Sequence, residues 1–97
     1  MKQDDILKYV KEHYPGHAIM LMTGFESAFI GITEEGYRLP CAVYDFGKCV
    51  EILMDTEQMT SREAMAHLHE IIELDMGEYA PYYTNTFSSF FNQYNLN

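Results

Sequence analysis

The sequence has few basic residues, few cysteines and no long apolar run, and each scarcity excludes a class of protein. Six Lys and Arg residues are scattered through 97 positions. Phosphate backbones are bound by clusters of such residues, so we expect no direct nucleic-acid binding. Two cysteines do not make a disulfide framework and are typical of reduced thiols in the cytoplasm. No apolar run approaches a membrane span, and the polar residues 1–5 lack the apolar core of a signal peptide. We therefore expect a cytoplasmic protein without membrane contact.

The usual motifs of catalysis and metal binding are also missing. No serine lies in a nucleophile-elbow context, and no phosphate-binding loop is present. His67 and His69 are two positions apart on a predicted helix and point in different directions, and no Cys or His pair has the spacing of zinc ligands. Cys49 falls on the apolar stripe of a predicted helix, which favours a buried core thiol over a nucleophile. We expect no catalytic residue, no metal and no cofactor.

The chain does contain enough apolar surface for one folded domain. Hydrophobic residues make up 47% of the sequence and aromatic residues 14%, a globular composition despite the net charge of −9. A chain of this length buries roughly 60–70% of its unfolded surface. Because there is no internal repeat and no long linker, residues 1–97 are predicted to form a single α+β domain.

Two helices with specific start signals form the centre of the predicted fold. Asp45 can cap a helix from Phe46 to about Met54, and Thr60 and Glu63 form a capping box that opens a second helix. Because only a short link separates the two helices, we predict an antiparallel pair with both apolar stripes on one core. The stripes contain Phe46, Cys49, Val50, Leu53 and Met54 on the first helix, and Ala64, Met65, Leu68, Ile71 and Ile72 on the second.

Shorter patterns complete the predicted architecture. It is an N-terminal helix, a three-stranded antiparallel β-meander, two antiparallel helices packed on one face and a short C-terminal aromatic helix. Gly31 is predicted to permit a bulge or the close approach of a helix, and Pro40 is expected at a sheet edge. The segments are a helix capped by Asp4 or Asp5 and ending near His13, strands at Ala18–Met22, 27–33 and Tyr37–Tyr44, a hairpin loop at Glu34–Gly36 and a helix stop at Met76-Gly77.

The acidity of the chain is concentrated in its second half. Residues 1–48 hold seven acidic and five basic side chains, whereas residues 49–97 hold eight acidic and one basic. A solvated helix surface is the ordinary explanation. The alternative is that these carboxylates imitate a phosphate backbone and bind a protein with a basic surface, such as one whose groove otherwise holds nucleic acid. The residues of this acidic face are Glu51, Asp55, Glu57, Glu63, Glu70, Glu73 and Glu78.

Two other functions are weighed against protein binding. A small enzyme could use Glu63, His67 and Glu70, which share one side of the second central helix, provided that a pocket desolvates a carboxyl group. A homo-oligomeric structural or accessory protein could associate through the uncharged C-terminal segment, which either completes the chain's own core or forms a contact patch. That patch comprises Phe87, Phe90, Phe91 and Tyr94. Sedimentation of the purified protein would separate an oligomer from a monomer.

Several short motifs occur in a distinctive order: GFESAFIGI at 24–32, AVYD at 42–45, EILM at 51–54, Met59-Thr60 followed by Glu63-Ala64, and a later Pro81. This order resembles a family of small uncharacterised bacteriophage and prophage proteins, and the match covers about residues 17–83. The resemblance implies a phage or mobile-element origin, with the host cytoplasm as the location, but no activity, cofactor or catalytic residue. After Ala66 the chain departs from the family pattern, because LHEI replaces an aromatic segment.

Overall fold

The computed structural model describes residues 2–33, 39–74 and 77–84, and within them the predicted α+β class is confirmed. Three helices and a three-stranded sheet are present, with a short 3₁₀ turn before the first strand. In chain order the elements are α1 (Gln3–His13), the 3₁₀ turn (Glu26–Ala28), β1 (Phe29–Thr33), β2 (Cys41–Asp45), α2 (Phe46–Thr56), α3 (Ser61–Glu73) and β3 (Tyr82–Thr84).

The sheet is mixed, so the predicted antiparallel meander is wrong. The strand order is β1-β2-β3, with β2 antiparallel to β1 and parallel to β3. Ala18–Met22 was predicted as a strand but has no regular structure. An apolar run becomes a strand only where a neighbouring strand completes its hydrogen-bond ladder. At Met22 the backbone N–H instead donates to the Tyr44 hydroxyl at 2.8 Å. The third strand comes from Tyr82–Thr84, where no strand was predicted.

The ends of the first two strands also differ from the predictions. The strand predicted over 27–33 begins at Phe29, because the preceding residues form the 3₁₀ turn. The predicted bulge is present: the pairing register shifts between Phe29 and Gly31, which leaves Ile30 as the extra residue. Pro40 precedes β2, which is the central strand and not an edge. Proline therefore avoids the ladder by lying before it. The predicted loop Glu34–Gly36 and the start of the predicted third strand lie outside the described residues.

Both predicted helix starts in the central pair are confirmed. The Asp45 carboxylate accepts the Lys48 backbone N–H at 3.2 Å, so the last residue of β2 is also the cap of α2. In α3 the Thr60 hydroxyl accepts the Glu63 N–H at 3.1 Å, and the Glu63 carboxylate accepts the Thr60 N–H at 2.9 Å. The chain thus passes from strand to helix to helix with each start fixed locally.

The two central helices pack against each other with the start of α2 beside the end of α3. The rings of Phe46, the first residue of α2, and His69, in the last turns of α3, have centroids 5.5 Å apart. With only residues 57–60 connecting the helices, this contact places them antiparallel, as predicted. The predicted helix stop at Met76-Gly77 is late, because α3 ends at Glu73 and Leu74 is already extended.

The core lies between the inner face of the sheet and the helix pair. Register places Ala42 and Tyr44 of β2 on the inner face, where both are fully buried. The buried cluster consists of Phe25, Ala28, Ala42, Tyr44, Cys49, Val50, Leu53, Ala64 and Leu68. Met54 and Ile72, which the periodicity predicted on the core stripes, are 40% and 41% exposed. The stripe prediction is therefore wrong at the outer margin of each helix, where the covering layer ends.

The N-terminal helix is present with a different start. The prediction named Asp4 or Asp5 as the cap, but both lie inside α1 and Lys2 occupies the cap position. The Asp5 carboxylate accepts the Lys2 backbone N–H at 3.2 Å, so this side chain still binds the helix start, from the third helical position. Ile6 and Val10 form the buried side of the helix. The predicted C-terminal aromatic helix lies outside the described residues.

Candidate functional site

All seven residues of the predicted acidic face are exposed. They do not belong to one element. Glu51 and Asp55 lie on α2, Glu63, Glu70 and Glu73 on α3, Glu57 in the link between them and Glu78 in the segment before β3.

Helical geometry turns the carboxylates of α2 away from the core. The buried residues of this helix are Cys49, Val50 and Leu53. With about 100° of rotation per residue, Glu51 and Asp55 fall on the opposite side. The carboxylates of α2 therefore project into water on the face that the sheet does not cover.

The same geometry holds for α3. Its buried residues are Ala64 and Leu68, and Glu70 and Glu73 lie on the opposite side of the helix. Because the two helices are packed side by side on the same core, their outward carboxylates contribute to one negative surface. That surface includes few positive charges: Lys48 and Arg62 are the basic residues on the two helices.

Local contacts reduce the availability of two members of the acidic face. Lys48 Nζ lies 3.5 Å from Glu51 Oε2, with both side chains largely exposed. Such a pair contributes at most about 1 kcal/mol and is screened by salt, but it offsets part of the Glu51 charge. Glu63 is occupied by its capping box. The Thr60 backbone N–H, and then the Thr60 hydroxyl, lower the pKa of this carboxyl group below its usual range. Asp55, Glu70 and Glu73 make no salt bridge to any residue that the structure describes.

The three residues of the enzyme alternative lie on an exposed part of α3. Glu63, His67 and Glu70 are all exposed on α3, and none of them lines the cleft described below. A general acid needs a carboxyl pKa raised by desolvation, whereas the pKa of Glu63 is lowered. The arrangement at these three residues is an open helix surface.

The structure reveals a cleft that the sequence did not predict. It has a volume of about 430 Å³ and opens between the segment before β2 and the segment before β3. The Cys41 thiol is buried at its wall, and its single S–H can donate to either of two carbonyl oxygens, that of Leu39 at 3.4 Å or that of Glu78 at 3.3 Å. The cleft exists because β3 pairs with β2 in parallel, a pairing with no local sequence signal. Its lining residues are Leu39, Cys41, Gly77, Glu78, Ala80, Pro81 and Tyr82.

Burial raises the pKa of two side chains that pack in or against the core, Cys49 and Tyr83. Burial, followed by the nearby Asp45 carboxylate, raises the pKa of the Cys49 thiol to about 12. The side chain is fully buried in the core cluster, so the prediction of a core cysteine is confirmed. Burial also raises the pKa of Tyr83 to about 12, with smaller contributions from Cys49 and Tyr44. The hydroxyl of Tyr83 is buried and has no hydrogen-bond partner among the described residues.

Within residues 2–33, 39–74 and 77–84, no three His, Cys, Asp or Glu side chains come together as a metal-binding group. No helix in the same ranges combines the length and the apolar composition of a membrane span. The predicted oligomer patch of Phe87, Phe90, Phe91 and Tyr94 lies outside the described residues.

Comparison with known proteins adds no relative. No family model matches the chain, and no curated protein or solved structure is significantly similar to it.

Proposed function

We propose that this chain is a non-enzymatic binding protein and that the acidic face of α2 and α3 docks on a basic protein surface. The observation that carries the proposal is the outward projection of Asp55, Glu70 and Glu73, which make no salt bridge to any described residue. A surface of this kind attracts a positively charged partner over several ångströms and accelerates the encounter at low ionic strength.

The partner class that suits this surface best is a protein whose basic groove binds nucleic acid. Carboxylates on adjacent turns of two packed helices offer a row of negative charges to the Lys and Arg side chains that otherwise contact phosphates. Occupation of such a groove would inhibit or modulate the partner without chemistry. We propose a host nucleic-acid-dependent defence protein as this partner, which agrees with the phage or mobile-element origin that the sequence resemblance implies.

Displacement from DNA tests the proposal with a host lysate as the source of partners. Lysate proteins are first bound to DNA-cellulose at low ionic strength. The purified chain is then added as the eluting agent, and the proteins that it releases are collected. The chain should release at least one of the bound proteins, and added salt should weaken its complex with the released protein steeply. If nothing is released at low ionic strength, the proposal fails.

Two variants that remove the same number of charges distinguish binding through the acidic face from an effect of net negative charge alone. The double variant Glu70→Gln, Glu73→Gln removes two exposed charges from α3, and the control Asp4→Asn, Glu12→Gln removes two exposed charges from α1. We expect the α3 variant to release much less protein and the α1 variant to behave like the unchanged chain. Equal loss in both variants would show that net charge alone acts.

A further inference from the structure

We draw no further inference here: the strongest candidate, the cleft of about 430 Å³ between the segments that precede β2 and β3, carries nothing because no described residue shows which ligand it would select.

Discussion

Helix α3 has a buried centre and an exposed margin, so two similar substitutions on it should lower the free energy of unfolding by unequal amounts. Leu68 is fully buried in the cluster that joins α3 to α2, whereas Ile72, four residues further along the same helix, is 41% exposed. Both were predicted on the core stripe from periodicity alone. Because the apolar periodicity treats the two residues alike, truncation of each one to alanine tests the tertiary packing that distinguishes them.

The expected loss at Leu68 is large compared with the stability of the domain. Leu68→Ala removes apolar contacts and leaves a cavity between the helices, which costs about 3 kcal/mol. A single domain of this size has an unfolding free energy of about 5–15 kcal/mol, so the variant loses roughly a fifth to three fifths of it. The corresponding fall in the melting temperature is roughly 12–24 °C. Ile72→Ala should cost about 1 kcal/mol or less, because much of its side chain is already in water and no closed cavity forms.

Urea unfolding followed by far-ultraviolet circular dichroism measures both losses. The chain has no tryptophan, so the helix signal is the better probe. The slope of free energy against urea should stay the same in both variants, which shows that the unfolded states are comparable. Equal losses at the two positions, or a larger loss for Ile72→Ala, would refute the proposed packing of α3.

Four further substitutions test polar atoms whose contacts the structure defines. Thr60→Ala removes the hydroxyl of the capping box and should destabilise the protein by about 1 kcal/mol in the same urea assay. Glu63→Gln tests pH dependence. Because the folded pKa of Glu63 is lowered, its stabilising contribution is full above the unfolded value of about 4.3 and is lost as pH falls through the folded pKa. The stability gap between the unchanged chain and this variant should therefore narrow in acid, and a constant gap would contradict the assignment. Tyr44→Phe leaves the Met22 N–H without its acceptor and should cost about 1–3 kcal/mol. Tyr83→Phe removes a buried hydroxyl that has no partner among the described residues and should leave stability unchanged or higher. Equal losses in the two tyrosine variants would contradict the hydrogen-bond assignment.

The acidic face shows what charge distribution and helical spacing could predict without a structure. The asymmetry of charge and the helical spacing predicted that these carboxylates face water, and all seven are exposed. The capping-box pattern already assigned Glu63 to the start of its own helix, and the structure confirms it. Only the coordinates show that Glu51 lies beside Lys48, whereas Glu70 and Glu73 make no salt bridge to the described residues.

The sequence by itself determined the elements whose signals are local. Caps at Asp45 and Thr60 act within three residues of their own position, so the starts of α2 and α3 could be read directly, and the helix periods identified most of the core. Only the tertiary structure decided the sheet. The parallel pairing of β3 with β2 joins residues about forty positions apart, and such a partner is selected by competition among all available strands. For the same reason the apolar run Ala18–Met22 could not be excluded as a strand in advance, and the cleft beside Cys41 could not be foreseen.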